Sequence, residues 1–109
     1  DVTFCTHVDS LGHCQGKATE FKWNGDKMKL SMLISNKDGL QTTLLSYKVF
    51  AMKNDHDGDL FAELSSKVHT TWHYVVRNVF FFKPGYYKVD VYTKDYKLVA
   101  TQFITITGR

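Results

Sequence analysis

"NVFFFKPGYYKVDVYT", residues 78–93, is the stretch on which the reading of the fold turns. It holds the chain's only proline, Pro84, between a run of aromatics and an alternating apolar segment. At period two, Tyr87, Val89, Val91 and Thr93 share one face, and Tyr86, Lys88, Asp90 and Tyr92 share the other. That alternation marks a half-buried strand. Upstream, Phe80 and Phe82 are expected to point inward at a strand end and Phe81 outward. Pro84 and Gly85 then turn the chain. Most of the aromatic mass of this stretch therefore goes to a core, which leaves Tyr86 and Tyr92 for the surface.

The same period runs outward from this stretch. "KMKLSMLIS" puts Met28, Leu30, Met32 and Ile34 on one face against Lys27, Lys29 and Ser31. "TTLLSYKVFAMK" puts Leu45, Tyr47, Val49 and Ala51 together, with a partly apolar reverse face of Leu44, Phe50 and Met52. From Val68, the residues Thr70, Trp72, Tyr74 and Val76 alternate with His69, Thr71, His73 and Val75. A phase break at Arg77 and Asn78 predicts a bulge or bend. After the turn "KDYK", Leu98, Ala100, Gln102, Ile104 and Ile106 face one way and Val99, Thr101, Phe103 and Thr105 the other. "DLFAELSSKV" has a trace of helical spacing, but a short strand over residues 60–64 fits its flanking turns better. With an N-terminal strand near residues 2–8, seven or eight mostly antiparallel strands are expected, and residues 1–109 form one all-β domain of sandwich type.

The corner at Pro84 carries a resemblance. Gly85, Tyr87, Val89 and Val91 are similar to the corner and sixth strand of immunoglobulin-like and fibronectin-like sandwiches, as found in bacterial exported proteins and lipoproteins. The resemblance implies that the Tyr87 hydroxyl bonds to backbone just upstream while its ring fills the end of the core. Val89 stands where an antibody domain has its second cysteine, and Lys83 stands where an acidic residue is familiar. Tyr47 would take the role of the missing core tryptophan. Such a likeness implies a fold and little about activity.

Composition narrows the function classes. At 109 residues, with 43% hydrophobic and 23% charged, the chain can bury one core and is not of disordered type. No apolar stretch approaches the roughly 20 residues that span a bilayer as a helix, so no membrane insertion is expected. The net charge of +3 is spread along the chain, and only Arg77 and Arg109 are arginines, so no nucleic-acid partner is expected. The chain opens at Asp1 with neither a methionine nor a signal peptide, as expected of a mature exported domain or a trimmed one.

Cys5 and Cys14, in "CTHVDSLGHC", are too widely spaced for a redox pair. A local disulfide is the first expectation, with free thiols or a zinc site with His7 and His13 as alternatives. A disulfide would favour an extracytoplasmic location, whether periplasmic, secreted or cell-surface.

Other clusters are weaker. Asp55, Asp57 and Asp59 in "NDHDGD" alternate as a hard cation would want, yet an EF-hand reading fails because Leu60 and Ser66 occupy its required positions. A solvated turn is the simpler account. His69 and His73, about 13 Å apart on a strand, cannot easily share a metal. Met28 and Met32 belong to an apolar strand face rather than to a copper site. No Gly-x-Ser-x-Gly elbow, phosphate-cradling loop or close carboxylate pair is present, so neither an enzyme nor a cofactor is expected. The expectation is a non-catalytic binding module with a protein or glycan partner, using Tyr86, Tyr92 and Tyr96. The alternatives are a structural spacer in an envelope protein or lipoprotein, and a metal-binding sandwich on the aspartates or the cysteine segment.

Overall fold

The computed structural model describes residues 1–53 and 58–108. Among them are ten strands and no helix: β1 (Val2–Cys5), β2 (His7–Val8), β3 (Cys14–Gln15), β4 (Glu20–Lys22), β5 (Met28–Ser35), β6 (Leu44–Ala51), β7 (Leu60–Lys67), β8 (Tyr74–Phe81), β9 (Gly85–Thr93) and β10 (Leu98–Thr107). The all-β expectation holds. The count exceeds it by the very short β2, β3 and β4, because two or three residues carry too little alternation to be read. β7 is a strand throughout and runs three residues beyond the expected span.

The strands form a three-stranded sheet in the order β1-β5-β8, a five-stranded sheet in the order β4-β10-β9-β6-β7, and the separate hairpin β2-β3. Every pairing is antiparallel except that of β4 with β10. Both larger sheets contribute to one core. Phe4, Leu30, Met32, Val79 and Phe81 come from one sheet, and Tyr47, Val49, Val89, Val91, Ile104 and Ile106 from the other. Rings meet between the sheets: Phe81 lies 4.8 Å from Tyr87 and is stacked on Phe61 at 5.7 Å. Next to the core the Gln102 side-chain amide donates to the Val2 carbonyl at 2.9 Å, tying β10 to β1. Burial on this scale, about 25 cal/mol for each Å² of apolar surface, is what opposes the chain entropy.

The alternating faces of β5, β6 and β9 are buried as their period requires, and on β10 the buried positions are Ile104 and Ile106. Tyr87 is buried, and its hydroxyl donates to the Lys83 carbonyl at 2.9 Å, closing the turn that holds Pro84. The disulfide expectation holds as well. Cys5 is bonded to Cys14, with Cα atoms 5.6 Å apart, and this anchors the β2-β3 hairpin to the end of β1. At the hairpin tip Gly12 has φ +80°, and a Cβ there would come within 2.8 Å of the Tyr74 ring. The tip thus sits against β8, and only glycine allows both the backbone angle and the approach.

β8 departs from the expected phase. It begins only at Tyr74, after a turn in which the Trp72 amide donates to the His69 carbonyl at 3.1 Å. The β5-β8 register runs unbroken from Met28 opposite Phe81 to Ser35 opposite Tyr74, so no bulge interrupts it at Arg77 and Asn78. The inward residues are Val75, Arg77, Val79 and Phe81. Phe81 is fully buried, whereas Phe80 and Phe82 are 41% and 64% exposed, the reverse of the expectation. The reason lies in the sequence: "YVVRNVFFF" is apolar in both phases, so period two cannot say which face is buried. The contacts of Phe81 with Phe61 and Tyr87 decide it.

Candidate functional site

β9 places Tyr86, Lys88, Asp90 and Tyr92 on the face of the five-stranded sheet turned away from the core, because Tyr87, Val89 and Val91 take the buried positions between them. Register then selects their neighbours. Thr105, Phe103 and Thr101 of β10 lie opposite Tyr86, Lys88 and Asp90. From β6, Phe50, Lys48 and Ser46 lie opposite Lys88, Asp90 and Tyr92, and Glu63 of β7 lies opposite Lys48.

These side chains form a layer of two contacting sets that the register sets side by side. The Tyr86 and Phe103 rings are stacked, with centroids 5.9 Å apart and planes at 14°. The Lys88 ammonium lies 5.1 Å from the Phe50 ring centre and 3.4 Å from Asp90 Oδ2. Asp90 Oδ1 accepts from the Thr101 hydroxyl at 2.9 Å, and Oδ2 accepts from the Tyr92 hydroxyl at 3.4 Å. The Lys48 ammonium sits 5.5 Å from the Tyr92 ring centre and 3.9 Å from Glu63. The Lys88 and Asp90 side chains are only 14% and 8% exposed, so this ion pair is largely shielded from water although it lies on an outer face. A shielded pair costs desolvation and is retained only when hydrogen bonds satisfy it, as the Thr101 and Tyr92 hydroxyls do here. The result is a sheet face whose rings and charges are fixed relative to one another.

Tyr86 and Tyr92 share this face, six residues or about 20 Å apart along the strand. Tyr96 does not join them. It sits on the β9-β10 turn with φ +61° and 76% exposure. Phe103, Phe50 and Lys48 belong to the layer but were not singled out from sequence. Their outward phase was readable, but which strand lies beside β9, and in what register, was not.

A second surface lies at the far end of the three-stranded sheet. An open depression of about 760 Å³ is lined by Asp1, Gly12, Leu33, Ser35, Asn36, Lys37, His73 and Tyr74, and Trp72 stands in an adjoining one. His69 and His73 do not share a strand face: His69 belongs to the turn, with its ring 5.1 Å from Trp72.

The cation candidates find no support in the described residues. Asp55 and Asp57 lie outside them, and Asp59 is exposed. No group of three His, Cys, Asp or Glu side chains able to hold a metal occurs among the described residues. The sulfurs of Cys5 and Cys14 are bonded to each other and supply no thiolate. In the hairpin, Asp9 accepts from the Leu11 and His13 amides, each at 2.9 Å, and from the Gln15 side chain at 3.2 Å. These donors, the His13 amide first, hold its pKa below the usual aspartate range. No helix among the described residues is long and apolar enough to cross a membrane.

Comparison of the chain with protein-family models, with curated proteins and with solved structures returns no match.

Proposed function

We propose that the chain is a non-catalytic binding module of an exported protein, built as an immunoglobulin-like sandwich, and that it engages a protein or glycan through the outer face of the five-stranded sheet. The layer of Tyr86, Phe103, Lys88, Phe50, Tyr92 and Lys48 carries this reading. Rings held by stacking and by cations lose little side-chain entropy on binding, and mixed aromatic and charged surfaces are what partners use as anchors.

The immunoglobulin-like assignment draws on the pairing of β1-β5-β8 against β4-β10-β9-β6-β7 and on the hydrogen bond from Tyr87 to Lys83. The extracytoplasmic location draws on the Cys5–Cys14 disulfide, since such bonds persist in oxidising compartments.

The test is a glycan array together with a pull-down from the extracytoplasmic fraction of the source cells. Wild type is compared with the triple variant Tyr86→Ala, Tyr92→Ala, Phe103→Ala. Loss of the captured ligand with an unchanged melting curve supports the proposal, and retained binding overturns it. Tyr96→Ala, on the turn, is expected to leave binding unchanged.

A further inference from the structure

β8 ends the three-stranded sheet, with no strand beyond it among the described residues. Which of its backbone groups are open follows from the register. The Asn36 amide donates to the His73 carbonyl at 2.9 Å, so His73 is a hydrogen-bonded position in the pairing that continues into Ser35 opposite Tyr74. Bonded positions alternate along an antiparallel ladder. Val75, Arg77, Val79 and Phe81 therefore point their amides and carbonyls at β5, while Tyr74, Val76, Asn78 and Phe80 point theirs away from the sheet.

The same four residues carry the outward side chains. Three are large and apolar: Tyr74 is 47% exposed, Val76 36% and Phe80 41%. Other edges differ. β4 is three residues long and bears Glu20 and Lys22, and β7 bears Glu63 and Lys67. Charges and brevity are how edge strands avoid pairing. No outward residue of β8 is itself charged, and the cation beside them is Lys27, whose ammonium lies 4.8 Å from the Phe80 ring centre.

We propose that the β8 edge pairs with the β8 edge of a second copy of this chain, antiparallel about a two-fold axis through Asn78. The strand is self-complementary in that register. Val76 meets Phe80 of the second copy and Phe80 meets its Val76, which are favourable aromatic and β-branched cross-strand pairs. Asn78 faces its own equivalent. The open amides and carbonyls of each strand meet those of the other at bonded positions. Centring the axis on Arg77 would instead set two guanidinium groups opposite each other. Centring it on Asn78 puts each Arg77 against a Val79.

Aromatic side chains carry about 150–250 Å² each, so the half-open rings, Val76 and the bare edge offer on the order of 400–500 Å² per copy. Two copies then bury about 800–1,000 Å², below the roughly 1,200 Å² of a stable interface and within the range of weak, transient contacts. The dimer is accordingly weak and concentration-dependent, and it joins two three-stranded sheets into one of six.

Sedimentation velocity over a dilution series reaching about 1 mM tests this. The unmodified protein shows a monomer–dimer equilibrium, and amide exchange at Tyr74, Val76, Asn78 and Phe80 slows as concentration rises. Val76→Lys weakens association at least about tenfold by setting a charge against Phe80 of the second copy, whose ring already carries the Lys27 ammonium at 4.8 Å, while Tyr86→Ala on the other sheet leaves it unchanged. Four results overturn the proposal: a monomer at every concentration, association without slowed exchange at those amides, association retained by a folded Val76→Lys, or a monomer that pairs only with an unrelated extended peptide. Should Val76→Lys fail to fold, the exchange measurement on the unmodified protein decides alone.

Discussion

The hydroxyls of Tyr47 and Tyr87 both end in buried surroundings, yet they contribute in opposite senses. The Tyr87 hydroxyl donates to the Lys83 carbonyl, and removing it in Tyr87→Phe leaves that carbonyl without its partner. A loss of about 1 kcal/mol in denaturant unfolding is expected. The Tyr47 hydroxyl is enclosed and has no hydrogen-bond partner of good geometry, although the Ser66 side chain lies close enough to interact with it. Tyr47→Phe removes an unsatisfied polar group and keeps the ring, so stability is expected to stay level or rise by about 1 kcal/mol. A Tyr47→Phe loss as large as that of Tyr87→Phe would refute this contrast. Asp9 gives a pH dependence at the same scale. Its folded pKa is depressed by the His13 and Leu11 amides, so the order it gives the hairpin is full above the ordinary aspartate value of about 3.9. That order is lost as pH falls through the lower, folded value. Amide chemical shifts of Leu11 and His13 followed from pH 6 downward should therefore move together, with a midpoint below about 3.9, and Asp9→Asn should abolish the transition.

Among the elements, β8 separates what alternation can reveal from what it cannot. β5, β6 and β9 were readable because charges or small polar residues occupy the outward phase, as Lys29 does on β5 and Lys88 on β9. β8 was readable as a strand but not in phase, since Phe80, Phe81 and Phe82 satisfy either choice. Mutation distinguishes the two phases. Phe81→Ala, emptying a fully buried position, is expected to cost about 3–5 kcal/mol, and Phe80→Ser, on the outer face, less than about 1 kcal/mol, both read by chemical denaturation. Equal losses would mean that both rings are core. The candidate face shows the same limit. Tyr86 and Tyr92 were recognised from the phase of one strand, while Phe103, Phe50 and Lys48 reach them only through pairings between distant segments. The alternation of a single strand says nothing about which strand lies beside it.

Across the whole molecule, the N-terminal segment visits both sheets: β1 pairs with β5 in one, and β4 pairs with β10 in the other. The disulfide closes the intervening hairpin to a small ring. Its loss in Cys5→Ser/Cys14→Ser is expected to cost about 2–3 kcal/mol by loop entropy. For a domain of this size that is on the order of 10–20 °C in melting temperature by calorimetry. Thiol titration of the denatured, non-reduced protein should find no free thiol. The parallel pairing of β4 with β10 has a mechanical consequence. When the ends of the chain are drawn apart, β1 and its pairs with β5 are loaded first. The force then passes through the Cys5–Cys14 bond and runs backward along β4 and forward along β10, so the hydrogen bonds of that seam are loaded together, in shear, rather than opened one after another. Resistance to extension should then concentrate in the three residue pairs from Thr105 opposite Glu20 to Thr107 opposite Lys22. Phe21→Pro, which removes an amide from this patch, should lower the rupture force in single-molecule pulling. Because Phe21 and Ile106 of this parallel seam are core residues, its rupture under load opens the core between the sheets.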